Sequence, residues 1–301
     1  MVKIKKVLLS VSTKIKIGIL ISYDYIYCLT CIKQVYEYAD EIYLALDSNR
    51  VTWSGNSFDF DEKFLDKIKE LDKDCKITIY EDNFYIPSNS SMQNETNERN
   101  MLAKKMGDGW CIQIDADEYV YNFDKFVEYL AELKVFQNRL KKTISLVLYG
   151  HMVTLFKKLD NGYLYIENNE NIAFCTNSPN YIYARQQDAN IKFQTNFMII
   201  HESWSRSEEE ILQKITNWGH KTDFDTAAFY EFWKNINSQN YHDVTNFHPM
   251  DGITWDKLHF LECNSIDEFI EKYQENNPQK LASPNKLIWK GRRRYLKSFF
   301  K

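Results

Sequence analysis

The chain has 301 residues, 44% of them hydrophobic and 27% charged, with a formal net charge of -4. That length and apolar content suffice for one large α/β domain, or a domain with an extension, with a sizeable buried core. The acidic balance argues against a general nucleic-acid binder, which needs a basic face to displace counterions. Six scattered cysteines, several in apolar contexts such as Trp110-Cys111-Ile112, suit a reducing compartment. Lys3, Lys5 and Lys6 before a short apolar run resemble the start of a signal peptide, but the run is too short and Lys14 and Lys16 interrupt it. No run is long enough for a bilayer span, and the expected location is the cytoplasm.

In chain order, residues 14–22 (KIKIGILIS) read as a core strand, residues 28–38 as a helix with Ile32, Val35, Tyr36 and Ala39 on one face, and residues 41–46 as a second strand ending in Asp47. A strand, helix, strand unit implies parallel pairing with a right-handed crossover. A loop over 47–56 follows, then a helix over 58–71, a strand over 76–80 ending in Glu81 and Asp82, a polar stretch over 87–98 and a helix over 99–106 ending at Gly107. Cys28-Leu-Thr-Cys31 has the spacing of a thioredoxin-type dithiol, weighed against the plainer reading of two helix-packing cysteines.

The stretch Trp110-Cys-Ile-Gln-Ile-Asp115-Ala-Asp117-Glu118 is an apolar strand that stops in acids. Alternation along an extended segment puts Asp115 and Asp117 on one side with Ala116 turned away. Two such carboxylates repel unless something positive lies between them, and a hard divalent cation is the usual answer; the alternative is a solvated acidic turn. Beyond it, residues 123–138 read as a helix and 143–149 as a strand, while 150–185 are ambiguous, with a turn around Asp160-Asn-Gly162. Residues 193–200 form another apolar strand that stops at His201-Glu202. Imidazole with carboxylates suits Mn²⁺ or Mg²⁺ when phosphates or waters complete the shell. A helix starts with Ser207 and Glu210 in capping-box spacing, and the remainder is mostly helical.

Taken in order, Ala39-Asp-Glu-Ile42 leading to Asp47, Trp53-Ser-Gly-Asn56, Asn94-Glu-Thr-Asn-Glu-Arg99-Asn100, Ile114-Asp-Ala-Asp-Glu-Tyr119 and His201-Glu-Ser-Trp204 resemble the GT-A fold glycosyltransferases. The likeness is to the family 2-like members with an Asp-Ala-Asp-Glu core, and it covers residues 14–220. It implies an α/β fold of the GT-A type, a Rossmann-like α/β/α sandwich with a mostly parallel central sheet. The catalytic domain would be 1–204, with a helical C-terminal extension over 205–301. It also implies that Asp47 bonds the nucleobase, that Trp53 and Arg99 line the nucleotide pocket, that Asp115 holds the ribose or a metal-bound water, that Asp117 ligates the metal, and that His201 is a further contact to the metal or to the diphosphate. Glu202, ahead of Asp188, is the candidate general base of an inverting transfer, and His220 could reach the diphosphate or pack between helices. The implied donor is a UDP- or GDP-sugar, and the implied acceptor a glycan or lipid-linked molecule in surface polysaccharide, lipopolysaccharide or glycoprotein glycan synthesis.

Each residue has a plainer role available: a turn cap for Asp47, packing for Trp53, a local ion pair for Arg99. The basic, aromatic tail over 286–301 could lie on an anionic membrane surface or form a solvated helix. Two other classes compete with the transferase. A phosphatase of the haloacid dehalogenase type wants its paired aspartates on the first strand, and these lie on the fourth. A carbohydrate- or partner-binding protein would leave the acids as a solvated rim.

Overall fold

Hydrophobic runs too short for helices and bounded by turn residues make up the N-terminal half of the sheet. The computed structural model describes residues 14–139, 144–189, 191–217, 223–252 and 254–283. Strand β1 (Ile15–Ile21) is buried along its whole length, as a central strand covered on both faces must be. Helix α1 (Cys28–Val35) crosses over to β2 (Glu41–Asp47), and α2 (Lys63–Leu71) to β3 (Ile77–Asp82). Helix α3 (Ser91–Met106) then leads into β4 (Trp110–Asp115), which pairs parallel with β1 on the side opposite β2. The parallel part of the sheet therefore runs β3-β2-β1-β4, and the direction of strand addition reverses at β1.

The rest of the sheet is mixed. After β5 (Glu118–Tyr119) and α4 (Phe123–Arg139), a long hairpin of β6 (Leu146–Leu159) and β7 (Gly162–Thr176) folds back about the Asp160-Asn161 turn. The region that is ambiguous in sequence is mostly this hairpin, followed by β8 (Tyr181–Tyr183) and β9 (Gln186–Gln187). Strand β7 pairs antiparallel with β4, and β10 (Ile191–His201) pairs parallel with β6 and antiparallel with β5. The class is α/β with seven helices among the described residues, and the parallel core carries the strand ends of interest.

Residues after 204 do more than add helices. Helices α5 (Glu208–Asn217), α6 (Thr226–Asn235) and α7 (Ile266–Asn276) are joined by strand β11 (His259–Glu262), which pairs with β7. One apolar cluster combines Phe156 and Leu164 of the hairpin with Trp204, Phe229, Trp233 and Trp255, so the core runs across residue 204 without a seam. The basic tail over 286–301 and His220 lie outside the described residues. No helix among the described residues is long and apolar enough to cross a membrane.

Helix α3 begins eight residues earlier than hydrophobic spacing suggests. Its core-facing side carries Asn94, Glu95, Glu98 and Arg99, all buried. These polar groups bond neighbouring backbone and side chains: Asn94 spans Trp53 and Ile86, and Asn100 holds Tyr181. The start is set by Ser90, whose hydroxyl accepts from the Gln93 N–H while the Gln93 side chain accepts from the Ser90 N–H. Gly18 lets α3 lie close on β1, since a Cβ there would stand 2.8 Å from both Leu102 Cδ2 and Met106 Sδ. Gly18→Ala is expected to destabilise the fold by about 1–3 kcal/mol through this crowding. An unchanged urea midpoint would contradict the close approach.

Candidate functional site

Open α/β sheets bind ligands beyond the carboxyl ends of strands where the order of strand addition reverses. Here that point lies between β1 and β4, and a cavity of about 490 Å³ opens there. Its walls include Ser22, Tyr23 and Asp24 after β1, Asp47, Val51, Thr52 and Trp53 around the end of β2, Asp115 to Glu118 at the end of β4, His201 and Ser203 at the end of β10, and Lys214 and Asn217 of α5. Arg185 and Tyr183 close one side, and Tyr149, Met152, Asn171, His248, Met250 and Trp255 extend it toward the hairpin.

Strand pairing explains how distant acids and the histidine meet. In the β5–β10 register His201 lies opposite Glu118, and the Glu202 N–H donates to the Asp117 carbonyl at 2.9 Å. His201 Nε2 consequently stands 3.3 Å from Asp117 Oδ2. The same oxygen accepts a short hydrogen bond from Arg206 and faces Lys214 Nζ at 3.8 Å. Arg206 also reaches Asp24 at 3.0 Å and stacks over Tyr27, 4.5 Å from its ring centre. Burial penalises the charged form of Asp117, but His201, Arg206 and Lys214 together outweigh it and hold the carboxyl well below the usual range. Burial opposes charge on His201 as well, yet Asp117 raises its pKa.

Asp115 is held from the other side. Its Oδ1 accepts from Arg99 at 2.9 Å and its Oδ2 pairs with Arg185, which also bonds Glu118 at 2.8 Å. Arg99 is fully buried, braced by Glu95 at 2.8 Å, and does not line the cavity. Its expected role in the nucleotide pocket is corrected: it supports Asp115 from beneath.

The resemblance implies a divalent cation on Asp115, Asp117 and His201, and the carboxylates do not fit one as they stand. Both oxygens of Asp115 and one of Asp117 already face guanidinium, imidazole or ammonium groups. Among the described residues no group of three or more His, Cys, Asp or Glu side chains is placed to hold a metal.

The other expected residues divide. Asp47 lines the cavity, but its Oδ1 accepts from the Asn49 and Val51 N–H groups and its Oδ2 from those of Phe84 and Tyr85, so it pins two loops together. Trp53 lines the cavity, and its indole N–H donates to Glu98. Glu202 points away from the cavity wall that His201 and Ser203 form, and its carboxylate accepts a short hydrogen bond from Tyr119. Burial pushes Glu202 up to about 7, against the Tyr119 donation. Asp188 is exposed beyond β9 and does not line the cavity. Neither candidate base is therefore at the cavity. Cys28 and Cys31 are buried free thiols, and burial pushes both up, opposite to a reactive dithiol.

Sequence reasoning missed Asp24, Arg185, Arg206 and Lys214. Arg206 lies two residues beyond Trp204 in a stretch that hydrophobic spacing marks only as a helix start. Lys214, with Ile211, falls on the inward face of α5, where a buried lysine is the informative departure from pattern. The C-terminal end of α5 is tied to the loop after β2, because Asn217 Oδ1 accepts from Thr52 and Asn56 at 2.9 Å each and the Asn217 carbonyl accepts from Ser54 at 2.8 Å.

No family model matches the chain, and no curated protein matches it. Among solved structures, mannose-6-phosphate isomerase from Helicobacter pylori is similar at a TM-score of 0.28 and 14% identity. The likeness covers 52% of this chain and 56% of that one, and at that level it carries no argument about fold or function.

Glu98 gives the site a pH signature. Burial raises its pKa from 4.5 to about 8, against the lowering effect of the Trp53 hydrogen bond and Arg99. Its folded value lies above its unfolded one, so between those two values the folded chain keeps a proton that the unfolded chain has released, and stability falls as pH rises through the window. Glu98→Gln is expected to match the parent near pH 5 and to exceed it by up to a few kcal/mol near pH 8.5 in urea denaturation. An equal difference at both pH values would contradict a buried, protonated Glu98.

Proposed function

We propose that the chain is a glycosyltransferase of the GT-A type that moves a sugar from a UDP- or GDP-sugar to a glycan or lipid-linked acceptor. The observation that carries this reading is the placement of Asp115, Asp117 and His201 on one cavity, at the carboxyl edge by β1 and β4, where the order of strand addition reverses. Trp53 lines the cavity beside the β2 loop, an aromatic side chain of the kind a base stacks on, and Tyr149, Met152 and Trp255 add to the lining the apolar and aromatic surfaces that sugar rings pack on.

Transfer would form a bond between an acceptor hydroxyl oxygen and the anomeric carbon of the sugar while the bond to the diphosphate oxygen breaks, the diphosphate leaving with the electron pair and the hydroxyl proton passing to the departing phosphate or to water. Positive groups at the strand edge stabilise that developing charge and need no reorganisation, because packing already fixes them. The carbohydrate-binding alternative predicts no preference for a nucleotide. The phosphatase alternative predicts release of phosphate from simple monoesters.

Calorimetry with UDP and GDP is expected to show micromolar binding for one of them, weakened about tenfold or more by Trp53→Ala. Incubation with the matching nucleotide sugars should release nucleoside diphosphate. Indifference to both nucleotides would sink the transferase reading, and turnover of phosphate monoesters would favour the phosphatase.

A further inference from the structure

Charge at the carboxyl edge is unevenly distributed. Around Asp115, the two arginines Arg99 and Arg185 answer three carboxylates, those of Asp115, Glu95 and Glu118. Around Asp117 the balance is reversed, with Arg206, Lys214 and His201 gathered on Asp117 and Asp24. Arg206 is spent in this arrangement, since it bridges both carboxylates and donates to the Glu202 carbonyl at 3.2 Å.

Lys214 is not. Its side chain is 9% exposed, it lines the cavity, and it donates no hydrogen bond among the described residues; its ion pair with Asp117 stretches to 3.8 Å. A buried ammonium without hydrogen-bond acceptors is unfavourable by itself. An anionic ligand in the cavity would give it acceptors. The Asn217 clamp to Thr52, Ser54 and Asn56 fixes the end of α5 one turn beyond Lys214, which sets where the ammonium points.

We propose that Lys214 and His201, backed by Arg206, form a metal-independent seat for a diphosphate, the protein's own cations standing where a divalent cation is expected. That the diphosphate belongs to a sugar nucleotide rests on the glycosyltransferase reading; the seat itself does not. Its chemistry is that of a fixed cluster of donors lining the cavity: the Lys214 ammonium and the His201 ring offer hydrogen bonds to phosphoryl oxygens, and Asp117 and Asp24 hold the cluster in place against its own repulsion.

The test is titration calorimetry of the intact chain with inorganic pyrophosphate, and separately with UDP and GDP, first in excess EDTA and then with Mn²⁺ or Mg²⁺. Pyrophosphate is expected to bind in EDTA, and added metal, which chelates the free anion, is expected not to strengthen the binding. Lys214→Met, which keeps the volume and relieves a buried charge, should fold and lose about tenfold or more in affinity under both conditions. His201→Gln should lose less, by about threefold to tenfold, as a second reading of the same cluster. Binding that disappears in EDTA, or that survives Lys214→Met unchanged in a variant with an intact thermal transition, overturns the seat. Pyrophosphate binding through Lys214 with no response to any nucleotide would leave the seat standing and remove the transferase reading. Nucleotide binding that strictly requires metal would do the reverse.

Discussion

The buried carboxylate of Asp117 is the constraint around which the edge of the sheet is arranged. An ion at this depth is tolerated only when paired and hydrogen-bonded, and the chain brings its partners from three separate places: Asp24 and Tyr27 after β1 orient Arg206, β10 delivers His201, and α5 delivers Lys214. Losing one partner would leave an uncompensated charge in the interior. The network therefore joins the first strand, the fourth strand and the first helix of the C-terminal part into one unit, which makes residue 204 a poor place to divide the chain.

A second set of contacts gives the cavity its shape. Asp47 spends its carboxylate on four backbone N–H groups, fixing the loop after β2 against the segment after β3. Asn217 fastens that same loop to the end of α5. The wall carrying Trp53 is thus held from both sides by side chains whose job is structural, a rigid scaffold for the groups left facing the cavity. Glu98 under Trp53 belongs to the same wall, a carboxyl kept neutral by its surroundings and accepting the indole N–H.

Much of this was legible in the sequence. The strands β1, β2, β3, β4 and β10 and the acids at their ends follow from apolar runs that stop at charged residues. The shared cavity of Asp47, Trp53, Asp115, Asp117 and His201 follows from their common edge. What escaped has physical causes. The first half of α3 has no hydrophobic period because its inner face bonds loops through Asn94 and Asn100 instead of packing apolar groups. The long β6–β7 hairpin is interrupted by register shifts, which blur the alternation of its strands. Arg185, Arg206 and Lys214 look like ordinary surface cations in sequence, and nothing short of the folded edge shows that they neutralise Asp115 and Asp117. For the same reason Glu202, next to His201, looked like a base at the cavity, whereas strand alternation turns it toward Tyr119.

On the proposed reading, this edge binds a nucleoside diphosphate through its own cations. A crystal structure of the chain with UDP or GDP and MnCl₂, with data collected at the manganese absorption edge, tests it most directly. Phosphoryl oxygens are expected within hydrogen-bond distance of Lys214 Nζ and in contact with the His201 ring, with Arg206 still on Asp117 and no anomalous peak between the carboxylates and the phosphates. A manganese ion bridging Asp117 to the diphosphate, with Arg206 swung away, would contradict it.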